Sequence, residues 1–159
     1  MGSGKTTLGK KLANKLAYEF IDTDLLIENL HGKTIPEIFD TEGEAKFRES
    51  EQLVLSELKS KGNCIISVGG GLPCYKDNMD KLLALGRVIY LQRSPKELFH
   101  RLINRKNDRP LLKDKTENEL LDHITNLLEK REEYYERAHI IAGREHQTPA
   151  KLIQLITVP

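Results

Sequence analysis

Apolar residues fall along this chain in two rhythms: short unbroken runs, and longer stretches where they return every three or four positions. Four runs predict strands: Glu19-Phe20-Ile21-Asp22, Cys64-Ile65-Ile66-Ser67-Val68, Arg87-Val88-Ile89-Tyr90-Leu91 and His139-Ile140-Ile141-Ala142. Runs without polar alternation mark strands covered on both faces. Between them the helical period groups Leu8, Leu12 and Leu16, then Phe47, Val54, Leu55 and Leu58. It continues with Leu98, Phe99, Leu102 and Ile103, and with Leu120, Leu121, Ile124, Leu127 and Leu128. Ser94-Pro95 and Thr148-Pro149 read as helix starts, with the hydroxyl capping and proline in the first turn. Strands alternating with helices predict an α/β fold in three layers, a parallel sheet between helices.

One block breaks the rhythm. Residues 105–115 are charged, polar and interrupted by Pro110. A long connection without periodicity in a compact domain is usually functional, so this block is expected to be a lid that carries Arg109 over a bound ligand.

Length and composition narrow the picture. A chain of 159 residues is one domain, and no repeat or low-complexity stretch divides it. Lysine and arginine number 25 against 24 aspartates and glutamates, so no global field calls for nucleic acid. No apolar run reaches membrane-spanning length, and no secretory leader is read. Cys64 and Cys74 lack metal or redox spacing and predict reduced thiols in the cytoplasm. The five scattered histidines show no ligand spacing.

Candidate chemistry begins at the first residues. Gly2-Ser3-Gly4-Lys5-Thr6-Thr7 opens a helix, the arrangement of a phosphate-binding P-loop. There backbone N–H groups turn onto a polyphosphate, Lys5 reaches its β- and γ-phosphates, and the Thr6 hydroxyl holds Mg²⁺. The first glycine of the full G-x-x-x-x-G-K-[ST] pattern, and the strand that delivers the loop, are not within the sequence. In a parallel sheet, ligands bind beyond the carboxyl ends of the strands. Asp22 and Asp24 fall there, and so do Gly69, Gly70 and Gly71. One aspartate can orient Mg²⁺ through water while the other accepts from a substrate hydroxyl. The plainer readings are an N-cap at Asp24 for a helix beginning near Leu25, and a tight strand–helix turn at the glycines.

These motifs together resemble the shikimate kinase family. The resemblance rests on Gly2 to Gly9, on Phe20-Ile21-Asp22-Thr23-Asp24 with Ile27-Glu28, and on Ile35-Pro36-Glu37-Ile38-Phe39 with Gly43-Glu44-Ala45-Lys46-Phe47-Arg48. It extends to Ser67-Val68-Gly69-Gly70-Gly71, Arg109-Pro110-Leu111-Leu112, and Lys130-Arg131 with Tyr134-Tyr135, all in the family's order. It implies a P-loop fold of the nucleoside-monophosphate-kinase type with strand order 2-3-1-4-5, the first strand being absent here. It also implies transfer of the γ-phosphoryl group of ATP to the 3-hydroxyl of shikimate, a step toward the aromatic amino acids, by a monomer. Residues 25–60 would form the substrate-binding segment and 105–115 the lid.

The implied roles follow residue by residue. Gly2, Ser3, Gly4, Lys5, Thr6 and Thr7 would bind ATP, with Arg101 near the adenine. Thr6 and Asp22 would serve Mg²⁺. Asp24 would bind the acceptor's hydroxyls and take the proton of the one attacked. Arg48 and Arg131 would clamp the carboxylate beside Gly69, Gly70 and Gly71, and Arg109 would meet the transferring phosphoryl group. Guanidinium forks suit a carboxylate and aspartate suits a diol, although both helix arginines could also be solvated surface charges. Two other readings remain open: a catalytically inactive nucleotide-binding remnant, and a related small-molecule kinase such as a gluconate kinase. The Asp-x-Asp pair, the glycine triplet and the two arginines argue against the latter.

Overall fold

The structure is a computed structural model that describes residues 2–59, 61–103 and 116–157. Helix α1 (Lys5–Leu16) leads into strand β1 (Glu19–Asp22), then α2 (Thr23–His31) and α3 (Ile35–Leu58). Strand β2 (Cys64–Ser67), α4 (Asn78–Leu85), β3 (Ile89–Leu91) and α5 (Pro95–Ile103) follow. The chain closes with α6 (Glu117–Tyr135), β4 (Ile140–Ala142) and α7 (Pro149–Thr157).

Among the described residues every strand pairing is parallel, with β1 on β2 in the register Glu19↔Cys64 to Asp22↔Ser67, and β3 on β4 from Ile89↔Ile140 to Leu91↔Ala142. Neighbouring residues of β2 serve opposite layers. Ile66 packs against the core of Ile27, Val54, Leu55 and Leu82 from α2, α3 and α4, while Ile65 meets Leu12 and Leu152 of α1 and α7. That division is why the strands read as unbroken apolar runs. The predicted helix starts hold. Ser94 and Glu97 form a reciprocal cap on α5, and the Thr148 hydroxyl accepts from the Lys151 N–H at 3.4 Å.

The strands are shorter than the apolar runs. Val68, Arg87, Val88 and His139 lie outside them. At the third run the cause is local: the Val88 N–H donates to the His139 ring at 3.1 Å and not to a backbone carbonyl, so the β3–β4 ladder starts one residue later.

Between the facing edges of β2 and β3 runs an apolar slot of about 390 Å³, bordered by Ile66, Val68, Ile89 and Tyr90. Among the described residues the strands form two separate two-stranded parallel sheets, β1–β2 and β3–β4, with this slot between them. It explains why Ile65, Ile66 and all of β3 are only half-buried, where the sequence predicts full burial. The Tyr90 hydroxyl is buried there with no hydrogen-bond partner among the described residues, and burial pushes its pKa up to about 12.

Candidate functional site

The phosphate loop is built by two glycines in the left-handed region, Gly2 (φ 73°) and Gly4 (φ 96°), which turn the backbone into the start of α1. Gly4 caps the helix through its backbone alone, with no side-chain bond, so the first N–H groups of α1 remain available to an anion. Lys5 Nζ lies 3.3 Å from Ser67 Oγ, 4.0 Å from Asp22 and 3.6 Å from Asp24 Oδ2. The Arg101 guanidinium lies against Gly4, where a Cβ would come within 2.9 Å of Nη2. That sets Arg101 at the phosphate loop.

The two aspartates take different parts. Asp22, and not Asp24, is the N-cap: its Oδ1 accepts from the Asp24 N–H at 3.1 Å, and α2 begins at Thr23, earlier than the sequence suggested. The same carboxylate accepts from the Thr6 hydroxyl at 3.0 Å through Oδ2, which places two hard oxygen donors together at the mouth of the loop. Asp24, free of the capping duty, turns its carboxylate toward Lys5 and Gly69. A Cβ on Gly69 would lie 2.6 Å from Asp24 Oδ1, so any side chain there would displace the Asp24 carboxylate. Burial raises the Asp24 pKa above its ordinary value, Lys5 opposes this, and Asp22 adds to the rise. Buried Thr23 locks the turn between the aspartates: its hydroxyl donates to the Ser67 carbonyl and accepts from the Gly69 N–H, both at 3.3 Å.

Across the glycine turn stand the arginines. A Cβ on Gly71 would lie 3.2 Å from Arg48 Nη1 and 3.5 Å from Arg131 Nη2, so two guanidinium groups from α3 and α6 converge on one backbone position. Arg48 is held at 2.7 Å by Glu51, which is 1 % exposed, and at 3.0 Å by the exposed Glu44. Burial works against the Arg48 charge, but the two carboxylates outweigh it and keep its pKa above the ordinary value. Burial likewise pushes the Glu51 carboxyl up, opposed by Arg48. Tyr135 donates to the Gly70 carbonyl at 2.7 Å, fixing the glycine turn to α6.

The structure therefore brings together Lys5, Thr6, Asp22, Asp24, Arg48, Arg131 and the turn at Gly69, Gly70 and Gly71. Gly2, Ser3, Gly4 and Thr7 lie in the loop or the first turn of α1, with Arg101 against it. Arg109 and the expected lid lie outside the described residues. Four supporting residues went unassigned in the sequence reading: Thr23, Glu51, Ser67 and Tyr135. Glu51 carried a signal, standing three positions after Arg48 on a helix. Thr23, Ser67 and Tyr135 act through contacts between distant elements that no spacing reveals.

A family model described as shikimate kinase matches residues 1–158. The shikimate kinase of Azobacteroides pseudotrichonymphae genomovar. CFP2 is 49 % identical over 155 residues, which cover 97 % of this chain and 91 % of that one. That of Bacteroides fragilis strain YCH46 is 47 % identical over 141 residues, covering 89 % of this chain and 79 % of its own. Among solved structures, the shikimate kinase of Bacteroides thetaiotaomicron superposes with a TM-score of 0.90 at 42 % identity, over 98 % of this chain and 91 % of that one. The Acinetobacter baumannii enzyme, solved in complex with shikimate, gives 0.84 at 38 % identity, over 98 % and 88 %.

Proposed function

The chain belongs to the shikimate kinase family, and from that premise we propose how its residues divide the transfer of a phosphoryl group from ATP to the 3-hydroxyl of shikimate. The observation that carries the proposal is the 3.6 Å contact between Lys5 and Asp24, where the phosphate loop meets the pocket of Arg48 and Arg131.

The acceptor is a small carboxylate bearing adjacent hydroxyls. Its carboxylate takes the Arg48 and Arg131 forks beside Gly71, displacing the exposed Glu44 from Arg48 while buried Glu51 keeps its hold on Nη1. This directs the hydroxyls toward Asp24. The attacked oxygen forms its bond to the γ-phosphorus as its proton passes to Asp24, while the bond from that phosphorus to the β–γ bridging oxygen breaks and ADP departs. The N–H groups at the start of α1 and Lys5 hold the phosphates in line, and Arg101 adds positive charge beside Gly4. Arg109 is proposed, from the sequence, to reach the transferring group.

Thr6 and Asp22 fit Mg²⁺, being a hydroxyl and a carboxylate 3.0 Å apart at the phosphate loop. Bound there with ATP, the ion supplies charge neutralisation on the phosphate oxygens. Thr6 would hold the ion through its hydroxyl, and Asp22 would support it through water. The working form is proposed to be a cytoplasmic monomer that engages neither nucleic acid nor membrane. Among the described residues no helix is long and apolar enough to cross a membrane.

The test is product analysis. With ATP and Mg²⁺, shikimate is expected to yield one ADP per phosphate ester, with phosphorus coupled to the proton at C3 in the NMR spectrum. Equal turnover of gluconate with none of shikimate overturns the acceptor assignment.

A further inference from the structure

His31 is the last residue of α2, about 10 Å along the helix from Asp24 in its first turn. Its side chain is 9 % exposed and both ring nitrogens are engaged. Nδ1 lies 3.1 Å from a Glu42 carboxylate oxygen, and Nε2 lies 2.7 Å from the Ser50 hydroxyl. Glu42 is held from its other oxygen by Lys33 at 2.8 Å, and Ser50 is 4 % exposed on α3.

The two partners stand on opposite sides of a break. Gly43 interrupts α3 with φ 82° and ψ 169°, a conformation outside any helix and strained for a residue with a Cβ. Glu42 ends the first arm. Ser50 sits on the second arm between Arg48 and Glu51, the pair that meets the acceptor carboxylate. A kink at glycine is free to bend unless something spans it. The Phe39 and Phe47 rings pack across this one, with centroids 4.7 Å apart, and the short imidazole adds a hydrogen-bonded span, joined to one arm through each nitrogen. Because the same residue ends the helix that carries Asp24 in its first turn, the ring also ties the proton acceptor's helix to the helix of the clamp.

We propose that His31 is a positioning residue for acceptor binding: by bridging Glu42 and Ser50 across the Gly43 kink, it sets where Arg48 stands relative to Asp24. It touches no reacting atom. The proposal rests on the reading of Arg48 as a carboxylate ligand, and it extends that reading to a residue outside the pocket.

Two conservative substitutions separate the halves of the bridge. An asparagine amide nitrogen falls near Nδ1 of histidine, and a glutamine nitrogen near Nε2. His31→Asn therefore keeps only the bond to Glu42, and His31→Gln keeps only the bond to Ser50. Steady-state kinetics on the purified 159-residue protein are expected to show the shikimate KM raised about 3–30-fold in both, with kcat within about twofold and the ATP KM unchanged. In an Arg48→Ala background the same substitutions are expected to add nothing, since they act through Arg48. Ser50→Ala and Glu42→Ala, which cut the same two bonds from the other side, repeat the test should a His31 variant fail to fold.

Lower thermal stability with an unchanged shikimate KM leaves His31 a merely structural residue and overturns the inference. An undiminished effect in the Arg48→Ala background also overturns it. If Arg48→Ala alone leaves the shikimate KM untouched, the reading of the clamp has failed, an outcome separable from failure at His31.

Discussion

Asp24→Asn is expected to lower kcat by about 10²–10⁴, the range for losing a positioned general base. Asparagine keeps the shape and a hydrogen-bond acceptor but cannot take the proton of the attacked hydroxyl. The setting makes the substitution informative: the carboxylate is half-buried, 3.6 Å from Lys5, with Gly69 leaving no room between it and the glycine turn. Burial raises the pKa of Asp24, with Lys5 opposing and Asp22 adding. A base works only when deprotonated, so activity should fall as pH drops through a value above the usual aspartate range. That acid limb should vanish in Asp24→Asn. Rapid-quench single-turnover measurements across pH check both features. An unchanged rate of chemistry in the variant would remove Asp24 from the proton path.

Arg48→Ala or Arg131→Ala is expected to weaken shikimate binding by about 2–4 kcal/mol, as when one partner of a desolvated charge pair is removed. That is roughly a 30- to 1,000-fold loss of affinity. The two guanidinium groups meet at Gly71, on the far side of the glycine turn from the phosphate loop, so ATP affinity should hardly move. Arg48→Ala has a second consequence, because it strands Glu51, a carboxylate that is 1 % exposed. Arg48→Ala,Glu51→Gln should therefore recover stability without recovering shikimate affinity. Calorimetric titration with each ligand, alongside thermal denaturation, separates the two effects. Loss of ATP affinity in step with shikimate affinity would move both arginines out of the acceptor pocket.

What the sequence revealed divides by the range of the interactions. Lys5, Thr6 and the glycines of the loop are local chemistry, and the structure assembles them as their spacing predicts. The Asp22–Asp24 pair was legible as a pair but not in its division of labour. Which aspartate caps α2 depends on where the helix starts, and a start two residues earlier moves the cap from Asp24 to Asp22. Arg48 and Arg131 are more than eighty positions apart, and no periodicity joins them. Only the resemblance to a family placed them in one pocket, where packing of α3 and α6 against the glycine turn brings them together. Ser67 and Tyr135 stand within the motifs of the resemblance, but their contacts with Lys5 and Gly70 join distant elements and are set only by the fold. The helical period was legible only in the second arm of α3, from Phe47 to Leu58, so the first arm and the Gly43 break between the two carried no apolar signal. Strand lengths were overread for another reason: apolar runs report burial, whereas ladder length depends on a partner edge, and β2 and β3 each face the slot on one side.

The most direct test of the account is the release of ADP by the 159-residue chain at fixed ATP and Mg²⁺ as shikimate is raised from zero. The account predicts negligible release without acceptor and a saturable rise with it, because the phosphate loop and the arginine pocket meet at Lys5 and Asp24. A chain that binds ATP yet releases ADP at the same rate at every shikimate concentration contradicts it, and leaves a nucleotide-binding remnant in place of a kinase.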